Sequence, residues 1–353
     1  MIKKMPSVLI ATTALVALAG CAADSEPESA TPAGFTIAVT SYPMEFIASE
    51  VAADMAQVQN VTPAGAEPHD LELSPADIAT LSQADVILVL SNFQPAVDEA
   101  LTHIEGPVVL DAADAANLLT TEEQGAHDHD AEHDIESSDE HDHEAEDAPD
   151  EAEDAPDEAI DAPEHEAEAD LESGENHNGH DHGGLDPHFW LDPLRVADVA
   201  DALADTLAQA DLVNTDGFHS NAASLRTALT ELDQQYHDSL TNCASTTLIT
   251  SHEAFGYLAT SYGLDQIGIA GLDPEAETSP ARVAQILEEA RDAGASTIFT
   301  EPGDLTAGTD VIADELGITL AILNPIGRTP SDSDYFGVMT TNLGALTEGL
   351  QCR

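Results

Sequence analysis

The stretch Val86-Ile87-Leu88-Val89-Leu90 constrains this chain more than any other. A continuous apolar run of that length suits a strand buried on both sides in a parallel sheet. Its neighbours alternate to match. Phe35 to Val39 has strand composition, a helix is expected from Met44 to Met55, and a strand near Val58 to Val61. Ser74-Pro75-Ala76-Asp77 opens another helix, with serine as N-cap and proline at the first helical position. A helix from Pro95 to about His103 and a strand from Val108 to Leu110 complete a first half. The alternation then returns. Strand Thr247 to Thr250 is followed by helix Glu253 to Ser261, strand Gln266 to Ile269 and helix Pro280 to Ala293. Strand Thr297 to Thr300, helix Ala307 to Leu316, strand Thr319 to Leu323 and a terminal helix from Ser333 follow. Between the halves, residues 194–210 and 214–240 carry helical periodicity, the second long enough to bridge two lobes. The fold class implied is α/β: two similar parallel-sheet lobes joined by a long rigid helix, with a cleft between them.

The alternation is interrupted once. From Thr120 to Gly184 the composition collapses into Asp, Glu, His, Ala and Pro, and Glu-Asp-Ala-Pro-Asp-Glu-Ala occurs at Glu146 and again at Glu153. A segment with so few apolar residues cannot offset its ordering entropy and is expected to be disordered. The organisation expected is therefore a targeting segment over 1–20, a tether over 21–33, and a first lobe over 34–193 that contains this insert at 122–184. Linking helices over 194–242 and a second lobe over 243–353 follow.

Charge narrows the partners. The formal net charge is -61, from 69 acidic against eight basic residues, and 28 of the acidic residues lie between Glu122 and Asp186. Phosphates would be repelled, so nucleic acid is excluded and cations are favoured. At the N-terminus, Lys3 and Lys4 precede the short apolar run Val8 to Ala19 and then Leu18-Ala19-Gly20-Cys21. The run is too short to span a bilayer. Its small residues leading into Cys21 resemble a bacterial lipobox, which implies lipidation of Cys21, anchoring to a membrane and an extracytoplasmic location. An ordinary cleaved signal with a chance cysteine is the competing reading. Two cysteines remain, Cys243 and Cys352. In an exported chain an even remainder points to one bridge, with two unpaired thiols as the alternative.

Six histidines lie outside the insert. His103, His219 and His237 fall on helical stretches and read as structural. His69 follows the second strand, in Gly65-Ala66-Glu67-Pro68-His69-Asp70. His188 lies in Asp186-Pro187-His188-Phe189-Trp190-Leu191-Asp192-Pro193, and His252 in Ser251-His252-Glu253-Ala254-Phe255-Gly256-Tyr257. In open parallel sheets the loops beyond the carboxyl ends of strands form the binding crevice, so a ligand held by His69 and His252 would bridge the lobes. None of these shows a short-range metal spacing. Nine more histidines occupy the insert: His127, His129, His133, His141, His143, His165, His177, His180 and His182. His-Asp-His units of this kind suit several loosely held, exchanging cations, and the competing reading is a solvated spacer with no metal role.

Those three motifs, with Phe299-Thr300-Glu301-Pro302, Asp334-Tyr335-Phe336 and Met339-Thr340-Thr341-Asn342-Leu343, closely resemble the metal-binding lipoproteins of bacterial ABC importers. The resemblance runs from about Phe35 to Cys352 and puts the acidic insert in that family's variable loop. It implies one metal buried between two lobes, with His69, His188 and His252 as ligands, and delivery to a membrane permease by a monomer that is no enzyme. Three neutral imidazoles favour Zn2+, whereas manganese prefers oxygen. Asn324 stands where many relatives carry aspartate, which leaves the fourth position open between water, the Asn324 carbonyl and a carboxylate such as Glu67. Other readings of the whole chain are a manganese- or iron-specific member of the same family, a zinc-buffering or adhesin lipoprotein, and a zinc hydrolase using Glu67 or Glu253 as base.

Overall fold

A computed structural model describes residues 34–124, 184–274, 278–303 and 307–353. The targeting segment, Cys21, the tether and every insert histidine lie outside the described residues. The first half runs β1 (Thr36–Val39), α1 (Tyr42–Ala52), β2 (Gln57–Asn60), α2 (Pro75–Gln83), β3 (Val86–Val89), α3 (Pro95–Leu101), β4 (Val108–Asp111), α4 (Ala112–Ala116) and α5 (Thr121–Gln124). Two long helices follow, α6 (Pro193–Ala210) and α7 (Thr215–Leu240). The second half runs β5 (Thr247–Thr250), α8 (Gly256–Tyr262), β6 (Asp265–Gly268), α9 (Pro280–Asp292), β7 (Thr297–Thr300), α10 (Ala307–Leu316), β8 (Thr319–Ile322) and α11 (Tyr335–Gly349). Both sheets are four-stranded and wholly parallel, ordered β2-β1-β3-β4 and β6-β5-β7-β8. The two lobes thus repeat one topology.

Alternation along the strands sorts their side chains into layers. In β1, Ile37 and Val39 face an inner core, and Ala38 faces an outer one; in β3, Val86 and Leu88 face inward, Ile87 and Val89 outward. The outer layer of this lobe is closed by Leu81 of α2 and Val97 of α3. The second lobe does the same, with Leu248 and Phe299 inward and Ile249 and Ile298 outward under Ile286 of α9 and Ile312 of α10. The inner faces share one core with α1, α6, α7, α8 and α11. Ser74 opens α2 as anticipated: its hydroxyl accepts from Asp77 N–H, and the Asp77 carboxylate accepts from Ser74 N–H.

Helix α7 is a shared rod of about 39 Å at ~1.5 Å per residue. Phe218, Ala222, Leu225, Leu229, Leu232, Tyr236 and Leu240 form its buried stripe. Near its start Asn221 donates to the Val51 carbonyl of α1 (3.0 Å), and near its end the Tyr236 hydroxyl donates to the Met339 carbonyl of α11 (2.7 Å). Helix α11 also reaches back to the first lobe. Tyr335 stacks on Phe46 at 4.6 Å and donates to the Trp190 carbonyl (2.7 Å). A division at residue 243 does not express that sharing. Cys243 and Cys352 are joined by a disulfide, 109 residues apart in sequence, and the Ala244 N–H bonds to the Leu350 carbonyl beside it.

Helix α8 starts later than its sequence indicates. The expected start at Glu253 becomes Gly256, because the preceding residues are tied elsewhere: the Thr250 hydroxyl donates to the His252 carbonyl (2.7 Å) and Glu253 N–H to the Gly271 carbonyl (2.9 Å). The two ends of the insert meet, Thr120 pairing antiparallel with Leu185. Among the described residues no helix is long and apolar enough to cross a membrane.

Candidate metal centre

Three loops and one crossover bring the histidines together. His69 lies beyond β2, His252 directly beyond β5, and His188 just after the insert, ahead of a 3-10 turn at Phe189–Leu191. All three are at most 3 % exposed. The His188 ring lies 5.4 Å, centroid to centroid, from both His69 and His252. Phe93 packs edge-on against His69 at 4.8 Å and Trp190 against His188 at 5.2 Å, giving the cluster an apolar wall. His103, His219 and His237 lie elsewhere; His219 and His237 are about half exposed beside Asp205 and Asp233.

Carboxylates stand behind two of the rings. The His188 Nδ1 meets the Asp186 Oδ1 at 2.7 Å, and the same oxygen accepts from His188 backbone N–H at 2.9 Å. The His252 Nδ1 pairs with the Glu301 carboxylate, which also accepts from the Ser251 hydroxyl at 3.2 Å. A carboxylate at Nδ1 requires the proton there, which leaves the Nε2 lone pair as the free donor and holds the ring plane. Burial alone would push the Glu301 carboxyl up. The hydrogen bond and charge of His252, with Ser251, outweigh it and hold that carboxyl below its ordinary value.

The rings border a cleft of ≈ 440 Å³ whose walls come from both halves, including Glu67, Trp190, Glu301, Asn324 and Arg328. Glu67 spans it: its Oε2 accepts from Arg328 Nη2 (2.6 Å) and Nε (3.0 Å). Burial raises the Glu67 carboxyl, against the lowering effect of Arg328 and of a hydrogen bond from His69 N–H. Asn324 is occupied in shaping its loop. Its side-chain oxygen accepts from Ile326 N–H (2.8 Å), and its carbonyl and N–H pair with the Asn342 amide at 2.7 and 2.9 Å. The cleft floor is tied across by Trp190 Nε1, donating to the Pro325 carbonyl (2.7 Å). A larger hollow of ≈ 1030 Å³ beside β6 has no histidine in its walls.

The donor set can be tested against a metal. For a tetrahedral ion with metal–nitrogen bonds of about 2.0–2.1 Å, each ring centroid lies about 3.2 Å away, which sets two centroids about 5.2 Å apart. Two of the three ring pairs, His188 with His69 and His188 with His252, stand at 5.4 Å, close to that spacing. Among the described residues, as they are arranged here, no group of three or more His, Cys, Asp or Glu side chains is placed so that it could hold a metal ion. The His188 ring stands between the other two.

Of the residues singled out in the sequence, His69, His188, His252, Glu67 and Asn324 therefore surround one cleft. Sequence reasoning gave Glu301, Asp186 and Arg328 no role. Glu301 carried the one available signal, a carboxylate directly beyond the end of β7, at the edge of the sheet where crevices form.

Comparison with known proteins follows the same line. The profile described as "Zinc-uptake complex component A periplasmic" (ZnuA) matches residues 37–349. The zinc-binding protein AdcA of Streptococcus pyogenes is 30% identical over 316 residues, covering 88% of this chain and 55% of its own length. This chain thus spans about half the length of such relatives. The high-affinity zinc uptake system protein ZnuA of Bacillus subtilis is 27% identical over 361 residues, covering 99% of both chains. The Zn(II)-bound ZnuA-like domain of Streptococcus pneumoniae AdcA superposes with a TM-score of 0.64 at 25% identity, over 90% of this chain and 99% of that one.

Proposed function

The chain belongs to the ZnuA family of periplasmic zinc-uptake components, and on that premise we propose that it captures one Zn2+ ion outside the cytoplasmic membrane and releases it to the permease of an ABC importer. It works by binding and release, with no bond made or broken in the cargo. What supports the reading is the cluster of His69, His188 and His252, all buried, with the His188 ring 5.4 Å from each of the other two. Asp186 and Glu301 hold the proton on Nδ1 of their rings and leave the Nε2 lone pair for a metal. Nitrogen donors suit zinc over manganese. The fourth position is left to water, since Asn324 shapes its loop and Glu67 is engaged by Arg328.

The protein is further proposed to be a monomer anchored through lipidated Cys21, with the nine insert histidines holding extra cations weakly. The test uses protein from which residues 125–183 are removed, joined next to the Thr120–Leu185 pair. It should bind one zinc tightly, measured by chelator competition, and His69→Ala, His188→Ala and His252→Ala should each weaken that site by roughly 100-fold or more. Unchanged affinity in all three variants would overturn the ligand assignment. Release of Cys21→Ser protein from membranes tests the anchor.

A further inference from the structure

Three of the described carboxylates near the histidine cluster are each held by a donor. Asp186 is taken by His188 and Glu301 by His252. Glu67 is held by an arginine. Its Oε2 receives Nη2 and Nε of Arg328, and its carboxylate also accepts from His69 N–H. The partners lie 261 residues apart, on loops from opposite lobes. These loops touch: a methyl built on Gly327, next to Arg328, would come within 3.4 Å of the Pro68 ring, next to Glu67. The Glu67 carboxylate lines the same cleft as Glu301 and the three histidines. The chain has only eight basic residues against 69 acidic ones, and one of the eight borders this cleft.

We infer that Arg328 is a specificity-determining residue, which keeps the Glu67 carboxylate away from the bound ion and so holds the site to nitrogen donors. The inference rests on the zinc-capture reading above. The reason is donor chemistry. A carboxylate released two residues from His69, beside a second carboxylate at Glu301, adds a hard oxygen ligand and negative charge. Both changes favour manganese more than a tri-imidazole site does. The planar fork of arginine suits this restraint, because two of its N–H groups converge on one oxygen, whereas lysine offers a single point charge.

The experiment measures the ratio of Zn2+ to Mn2+ dissociation constants by chelator competition, in mature protein lacking residues 125–183. Arg328→Gln should move the ratio toward manganese by roughly 10- to 100-fold, the range seen when groups behind metal ligands are changed. Adding Glu67→Gln to Arg328→Gln should return the ratio to its starting value, since the freed carboxylate is then gone. A folded Arg328→Gln protein with an unchanged ratio overturns the inference, as does a double variant that keeps the shift. Should Arg328→Gln not fold, Arg328→Lys carries the test, with a smaller shift in the same direction expected and no shift overturning it. Failure of the underlying reading looks different: the unaltered protein would then bind no zinc, or bind it independently of His69.

Discussion

Glu301 is the residue whose removal should say most about the site. Glu301→Gln keeps the shape and one acceptor but loses the charge that holds the proton on His252 Nδ1. Zinc affinity should fall roughly 10- to 100-fold, with the far-UV circular dichroism unchanged. The sign of its pH dependence is set by its lowered carboxyl. A group whose folded value lies below its ordinary 4.5 contributes stability above that value and loses it as the pH falls through the folded value. The stability difference between the native protein and Glu301→Gln should therefore be constant at pH 6 and above and shrink below 4.5, as read by denaturant titration. Asn324→Asp has a different expectation. The side-chain oxygen is already spent on Ile326 N–H, so an aspartate keeps the turn, and the fold should tolerate the change.

At the scale of elements, the terminal helix and the rod are the joints to test. The disulfide pins the end of α11 to the start of the second lobe, closing a loop of 109 residues. By the chain-entropy model its removal costs on the order of 4–5 kcal/mol. Cys243→Ser with Cys352→Ser should lower the thermal midpoint markedly while leaving zinc stoichiometry at one, because neither sulfur approaches the cleft. Ser74 offers a smaller, cleaner test. Ser74→Ala removes the hydroxyl that accepts from Asp77 N–H, while Ser74 N–H can still donate to the Asp77 carboxylate, and the lost cap should cost about 1 kcal/mol in denaturant unfolding. Helix α7 was legible from periodicity alone. That α11 is shared between lobes was not, because Tyr335 meets Phe46 and Trp190 only after residues far apart in sequence have been folded together.

The whole molecule repeats one sheet topology twice but builds its site asymmetrically. His69 follows β2, the edge strand of its sheet, whereas His252 follows β5, which occupies the place of β1. The site therefore depends on how the lobes face each other, and α7 sets that by holding α1 near one end and α11 near the other. One consequence is a steep response to acid. Imidazoles must be neutral to bind metal, and free histidine titrates near ~6.5. Zinc should therefore be lost between about pH 7 and 5 with more than one proton taken up per ion, before the acid window set by Glu301 is reached. Calorimetry in buffers of different ionisation enthalpy reads both quantities. Affinity flat across that range would favour a carboxylate-dominated site.

Local pattern by itself determined the two α/β halves, the order of their elements, and the bridging helix. Buried parallel strands need unbroken apolar runs, and helices need a repeating stripe, so each announces itself within a few residues. The histidines at the loop ends were legible for the same reason, since strand ends predict where a crevice opens. Only the tertiary structure decided that Glu301 stands behind the His252 ring and Arg328 beside Glu67. Glu301 reaches His252 across 49 positions and Arg328 reaches Glu67 across 261, and no spacing in the sequence encodes either approach. Those partners follow from two lobes closing on one rod. A carboxylate in that closed, partly dry space must find a cation or a donor, and the fold alone determines which one lies within reach.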